Sequence, residues 1–276
     1  MPTTPLQGSL PHTVVRSGKS GELRTESDEL AEEVAVALEY NDISHATLLA
    51  SPTHLDDLAI GFSYTEGIIR SAKDVYEVDV VKQPEGWVIQ MRIASACLNQ
   101  LKLRRRQMAG RTGCGLCGLE TLSQVQRELP ALPKPALQIS PAAISKAAEG
   151  LRASQPLHLR TGATHGAAWA TLDGDIVHTR EDVGRHNALD KLIGLLLRRE
   201  IDPGSGFFVI SSRASFEMVQ KTAAAGVSAL VAVSAPTSYA VRMATDLNLM
   251  LAGFVRGEHF TVYSHPEFLL DLRSPS

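Results

Sequence analysis

Residues 207–234 read FFVISSRASFEMVQKTAAAGVSALVAVS. Phe207 to Ser211 is a short apolar run, the spacing predicts a helix from Phe216 to Ala225, and Ala229 to Ser234 is a second apolar run. Strand, helix, strand with short connections is the pattern of a parallel βαβ crossover. Toward the C-terminus the alternation continues with an expected helix over Ser238 to Phe254 and a strand over Phe260 to Tyr263. Toward the N-terminus a helix is expected from Gly184 to Arg199, and Ala167 to Leu172 and Ile176 to Arg180 read as a hairpin turning at Asp173-Gly174. Further upstream come a helix over Pro141 to Ala153 and a strand near Leu157 to Arg160. This half of the chain is therefore expected to be a three-layer α/β/α sandwich.

The first half has a different rhythm. Glu33 to Glu39 reads as a strand, Asn41-Asp42 as its turn and His45 to Ala50 as the returning strand. His54 to Phe62 has helical spacing with Asp56 and Asp57 in the first turn, and Gly67 would end it. Val75 to Val81 and Trp87 to Ile93 are two more strand candidates flanking Pro84-Glu85-Gly86. The Pro-rich stretch Leu129 to Pro141 reads as the boundary, giving a disordered tail at 1–12, a β-rich domain over 13–135 and an α/β domain over 136–276.

Charge excludes some classes of function. With 27 Lys and Arg against 30 Asp and Glu, a net charge of −3 and pI near 6.3, no global field holds a nucleic-acid backbone, so no nucleic-acid partner is expected. No apolar run is long enough to cross a bilayer, and the N-terminal residues lack the charged and apolar regions of a secretory signal, which predicts a cytoplasmic protein without a membrane partner. Three cysteines, two of them two residues apart, suit redox, metal or sulfur chemistry rather than a disulfide framework.

Cys114 and Cys117 form the sharpest chemical feature, Gly113-Cys114-Gly115-Leu116-Cys117-Gly118. A zinc site needs a second ligand pair, and Cys97 sits in no CxxC or CxxH context. A thioredoxin-like dithiol needs the motif at the start of a helix after a strand, whereas this one follows a basic, Gly-punctuated loop. The third reading is a nucleophilic loop, with Arg104, Arg105, Arg106 and Arg111 favouring thiolate at Cys114. Those arginines also suit phosphate, and the plainer reading of them is a solvated helix face.

Two polar clusters fall where strands meet helices, the place where open α/β sheets collect ligands. Thr179 to Lys191 is one, Ser211 to Met218 is the other, and Val231 to Ser238 would complete the rim of the pocket they make. Capping by Asp182 and a structural role for His186 are the plainer alternatives for the first, and a partial capping box for the second. His165 is expected in a loop, available for chemistry. No Gly-x-Gly-x-x-Gly follows a strand and no Walker lysine motif occurs, so neither a standard dinucleotide fold nor a P-loop is supported.

Taken in order, Leu55-Asp56-Asp57-Leu58-Ala59-Ile60-Gly61-Phe62 with Glu66-Gly67-Ile68-Ile69, the Cys114 motif, Glu181 to Lys191, and Ser211 to Met218 resemble the formate dehydrogenase accessory sulfurtransferases, the FdhD family. The resemblance covers nearly the whole chain after residue 28. It implies a sulfur carrier that takes sulfur from a cysteine desulfurase as a cysteine persulfide. It further implies transfer to the molybdenum of bis-molybdopterin guanine dinucleotide before that cofactor enters formate dehydrogenase. Cys114 matches the family's persulfide cysteine and Cys117 its nearby partner. Phe260, Thr261, Val262, Tyr263, Ser264 and His265 match the segment that holds the guanine-dinucleotide cofactor.

Arg185, His186, Asn187, Ser212 and Arg213 are then expected to contribute contacts to its guanine, ribose and pyrophosphate. A two-armed cargo suggests a twofold homodimer. The family's second half is similar to the cytidine deaminase fold, but this chain lacks a deaminase's His-x-Glu and Pro-Cys-x-x-Cys motifs, so neither a catalytic zinc nor deamination is expected. Asn41-Asp42 and Gly162-Ala163-Thr164 depart from the family's usual residues at a turn and a loop. The alternative reading is a cofactor chaperone without sulfur transfer, its CxxC a regulatory disulfide.

Overall fold

The computed structural model describes residues 7–19, 21–109, 129–133 and 138–270, with side chains only up to 103 in the helix that ends at 109. Cys114, Cys117, Arg111 and the surrounding glycines lie outside the described residues. Strands β1 (Ser9–Ser17) and β2 (Leu23–Ala31) form a two-stranded antiparallel ribbon. Ser9 to His12, expected in the tail, thus belong to a strand. The segment lacks hydrophobic alternation because both faces of the ribbon are largely exposed, and its order comes from backbone pairing with β2.

Strands β3 (Val34–Tyr40) and β4 (Ile43–Ala50) are the expected hairpin, and Asn41 and Asp42 take φ of 47° and 65°. Two adjacent left-handed residues match the right-handed twist of the strands, and Asn and Asp tolerate that region better than most. Strands β5 (Val75–Gln83) and β6 (Gly86–Ile93) complete a four-stranded sheet in the order β4-β3-β6-β5. Helix α1 (Leu55–Thr65) buries Leu58, Ala59 and Ile60 among residues that include Val36, Leu38, Ile89 and Met91 of this sheet. Helix α2 (Ser95–Ala109) carries the arginine run in its backbone, so Leu101 to Arg106 is helical rather than a loop, and Cys97 packs in the same core.

The second half begins with α3 (Pro141–Ala153), whose first turn is capped by the Ser140 hydroxyl accepting from the Ala143 amide at 3.1 Å. Next come α4 (Pro156–Thr161), β7 (His165–Thr171), β8 (Ile176–Asp182), α5 (Arg185–Arg198) and β9 (Gly206–Ile210). The chain continues through α6 (Phe216–Ala224), β10 (Ala229–Ala232), α7 (Ser238–Asp246), β11 (Met250–Arg256) and β12 (His259–Ser264). The six strands form one sheet in the order β12-β11-β10-β9-β7-β8, with β9 and β10 parallel as expected; the third parallel strand is β11, and Phe260 to Tyr263, expected in that role, instead returns antiparallel to β11 as the edge strand β12.

Alternation along the strands separates two cores. Trp169, Phe208, Ile210, Leu230 and Leu251 face α5, α6 and α7, while Ala168, Phe207, Val209, Val231 and Ala252 face α3. Helices therefore cover both faces, and the strands read as continuous apolar runs because neither face meets water. Each large aliphatic or aromatic side chain buried this way contributes roughly 1.5–3 kcal/mol of transfer free energy.

Three local expectations are corrected. Leu157 to Arg160 is helical: Pro156 occupies the first helical position, Gly162 ends the helix at φ 68°, and the Glu181 carboxylate accepts from the Leu157 and His158 amides at 2.9 and 2.7 Å. The expected helix over Ser238 to Phe254 stops at Asp246, Asn248 turns the chain at φ 54°, and Met250 onward is β11. A short apolar run fully buried in a sheet has no periodicity to distinguish it from a buried helix. His165 opens β7 rather than lying in a loop. Among the described residues no helix is long and apolar enough to cross a membrane.

Candidate functional site

The 181–191 stretch divides into a buried frame and an outward edge. Asp182, at the end of β8, is completely buried. Its carboxylate accepts from the amides of Ser51 at 3.0 Å and Gly184 at 2.8 Å and from Asn187 Nδ2 at 3.0 Å, and it pairs with Lys191 Nζ at 2.5 Å. Lys191 also donates to the Ser51 carbonyl at 2.9 Å. Burial pushes the Lys191 ammonium below its ordinary range, and the Asp182 carboxylate acts against that. Asn187 Nδ2 donates as well to the Leu49 carbonyl at 2.8 Å, so this expected ligand contact lies inside the frame that fastens α5 to β4. One turn along α5, Asp190 accepts from Lys221 Nζ at 2.9 Å and from the Thr65 hydroxyl at 2.8 Å.

Arg185 and His186 form the outward edge. His186 Nε2–H donates to the Glu217 carboxylate at 2.7 Å, bridging the starts of α5 and α6. Burial pushes the His186 ring below the ordinary histidine range despite Glu217, so it is neutral at pH 7 with its lone pair on Nδ1. Arg185 Nε is buried with no hydrogen-bond partner among the described residues, and so is Ser215 Oγ at the N-cap of α6. Burial, with Arg185 next in weight, depresses His165 in the same way.

Beside them opens a cleft of about 610 Å³ between α4 and the ends of β9 and β10, lined by Gln155, His158, Thr164, His165, Ser211 and Val233 among others. This is the carboxyl end of the parallel strands, the position the fold class reserves for ligands. Ser211 accepts from the Gly166 amide at 2.9 Å, while His158 Nδ1–H donates to the Thr164 carbonyl at 2.8 Å. Ser212 is buried, its hydroxyl donating to the Arg213 carbonyl at 3.2 Å, and Arg213 is exposed. Gln155, His158 and Thr164 carried no motif in the sequence. The only available signal was their closeness to His165, and that required knowing that α4 folds back as a helix.

The 260–265 segment lies elsewhere on the sheet. It belongs to β12, one edge, whereas Asp182 and Arg185 follow β8, the other edge. Five inter-strand steps of about 4.8 Å separate the two, roughly 24 Å. β12 is antiparallel to β11 and pairs Ser264 with Leu251 near the start of that strand. Phe260 and Thr261 are thus at the pole that holds Ser211, and Ser264 and His265 at the opposite pole. The Ser264 hydroxyl donates to the Leu249 carbonyl at 2.7 Å, and both His265 ring nitrogens meet acceptors, Glu267 at 2.9 Å and the Thr245 carbonyl at 3.0 Å. Tyr263 packs over Gly253, where an added Cβ would lie 3.3 Å from its ring. Within one chain, then, the expected cofactor residues form two groups rather than one pocket. Among the described residues no cluster of three or more His, Cys, Asp or Glu side chains suits a metal ion.

Comparison with known proteins gives a consistent result. The sequence profile of the FdhD/NarQ family matches residues 31–270. A Bordetella petrii protein named sulfur carrier protein FdhD is 56% identical over 255 residues, covering 92% of this chain and 91% of that one. The protein of the same name from Cupriavidus necator is 51% identical, covering 91% and 87%. A crystal structure from Desulfotalea psychrophila, described as a formate dehydrogenase accessory protein, superposes with a TM-score of 0.74 at 22% identity, covering 95% of this chain and 99% of that one.

Proposed function

Because this chain belongs to the FdhD/NarQ family, we propose that it is a sulfur carrier, a sulfurtransferase that readies the molybdenum cofactor for formate dehydrogenase. The observation that carries the reading is the 56% identity, across nine-tenths of both chains, to a protein named a sulfur carrier. The CxxC at Cys114 and Cys117 supplies the thiols such a carrier needs.

In this reading the Cys114 thiolate attacks the outer sulfur of a desulfurase persulfide. A sulfur–sulfur bond forms on Cys114, the donor's bond breaks, and its electron pair leaves with the desulfurase thiolate. Cys117 then either takes the outer sulfur, the Cys114 thiolate leaving, or attacks Cys114 Sγ, closing a disulfide and expelling the sulfur as hydrosulfide. The acceptor is the molybdenum of bis-molybdopterin guanine dinucleotide, the cargo, which then passes to formate dehydrogenase. The reading sets this exchange in the cytoplasm and gives the second half the cytidine deaminase-like type of sandwich. It assigns Arg185, His186, Ser212, Arg213 and 260–265 to the cargo's guanine-dinucleotide arms. With Arg185 and His186 at one edge of the sheet, Ser212 and Arg213 at its middle and 260–265 at the other edge, the reading takes a twofold homodimer as the arrangement that serves both arms.

Intact-protein mass spectrometry after exposure to a cysteine desulfurase and cysteine, without reductant, tests the reading. The expected result is one added sulfur on wild type and on Cys117→Ala but not on Cys114→Ala. No adduct on any of the three, with an active desulfurase, would favour the cofactor chaperone without sulfur transfer. Sedimentation showing a monomer that binds guanosine diphosphate at full affinity would remove the dimer.

A further inference from the structure

The cleft between α4 and the ends of β9 and β10 is lined by donors from both of its walls. Gln155 is 2% exposed, and its Nε2 has no hydrogen-bond partner among the described residues although it lines the cleft. An amide NH₂ left buried and unpaired forfeits its hydration without a replacement bond, so its retention calls for a partner that arrives from outside. Across the cleft the Ser211 oxygen already accepts from the Gly166 amide, which leaves its O–H to donate. Arg152 stands at the rim.

The same lining excludes other ligands. It contains no carboxylate, since Glu181 is turned away to cap α4, and so no anionic partner for an amine. A group rich in acceptor oxygens and negatively charged suits the unpaired Gln155 amide, the Ser211 O–H and the nearby Arg152. Gly166 keeps the floor low enough: a Cβ there would lie 2.5 Å from Gln155 Nε2, so the amide can lie flat against the start of β7.

We propose that this cleft binds a phosphate-class oxyanion, with the Gln155 amide and the Ser211 hydroxyl as its donors. The site lies two to three strands away from β12, and none of 260–265 lines it. That the phosphate belongs to a guanine-dinucleotide cargo rests on the reading given above; binding of the oxyanion does not.

Calorimetric titration of the full chain with inorganic pyrophosphate and with guanosine diphosphate tests it, on wild type, Gln155→Met and Gln155→Glu. Wild type should bind pyrophosphate. Gln155→Met should weaken it roughly 10- to 100-fold, the effect of removing a hydrogen bond to a charged group, and Gln155→Glu should abolish it. Ser211→Ala gives the same readout from the other wall if either Gln155 variant melts early. Mutual displacement of the two ligands identifies the phosphate as a nucleotide's; simultaneous binding, with only pyrophosphate weakened, identifies a small free anion. No pyrophosphate binding by wild type, or equal affinity in folded variants of both Gln155 and Ser211, overturns the site. The titration uses neither desulfurase nor Cys114, so it and the persulfide test fail independently.

Discussion

Gly61 of α1 and Gly194 of α5 face each other where the two helices cross, and neither has room for a side chain. A Cβ on Gly61 would lie 1.8 Å from the Asp190 carbonyl oxygen, and one on Gly194 would lie 1.9 Å from the Asp57 carbonyl oxygen. The β-rich half and the α/β half are thus joined backbone against backbone. Gly61→Ala should cost at least about 1–3 kcal/mol by forcing the helices apart, more than its small gain in helix propensity returns. Thermal denaturation followed by circular dichroism reads the effect, and an unchanged midpoint would refute so close a crossing.

The Asp182–Lys191 pair predicts an asymmetry between single and double variants. Lys191→Met leaves a carboxylate with no counter-charge at a site of zero exposure, a loss of about 3–5 kcal/mol. Adding Asp182→Asn removes the unpaired charge and should recover a substantial part of that loss. Chemical denaturation of the two variants checks the order; a double variant less stable than Lys191→Met would contradict it.

Four histidines predict the acid limb of stability. His54, His165, His178 and His186 are each held below 6.5 with burial as the first cause, so the unfolded chain binds protons that the folded chain refuses. Their contribution is fully present above pH 6.5 and is lost as pH falls from 6.5 through the folded-state values. The melting temperature should therefore rise with pH over that window. His54→Asn should flatten the slope while keeping the fold, because Asn accepts the φ of 51° found there. A slope unchanged in that variant would remove His54 from the account.

Gly166→Ala should disturb the cleft without replacing any of its polar groups. The new methyl meets the Gln155 side chain within 2.5 Å and must displace it. Pyrophosphate affinity should fall toward that of Gln155→Met, and retention of wild-type affinity would show that the amide is not a donor.

Much of this was legible in the residues. Alternation from Phe207 to Ser234 announced the parallel core, and Asn41-Asp42 announced its turn, because local chemistry alone decides both. Leu157 to Arg160 was not legible: its alternation mimics a strand, and the carboxylate that makes it a helix, Glu181, arrives from 24 residues later. Asn187 looked like a ligand group, and Asp182 like no more than a cap, because polarity at a strand-to-helix junction has the same signature whether it serves a ligand or a buried frame. Only the positions of Ser51 and Leu49, more than a hundred residues away in sequence, tell the two apart. The β8-to-β12 separation was likewise invisible, since strand order is a property of the whole sheet.

Helix α4 is anchored at both ends by carboxylates from different parts of the molecule. Glu181 of β8 holds its first amides, and Arg160 near its other end pairs with Glu29 of the β1–β2 ribbon, which Ser9 also holds at 2.9 Å. The same helix carries His158 and Leu159 into the cleft wall. The Arg160–Glu29 pair is thus the side-chain link by which the ribbon holds the far end of that wall. Cutting the linkage with Glu29→Ala should raise hydrogen exchange at the Leu159 and Gly162 amides, whose acceptors are the Gln155 and His158 carbonyls.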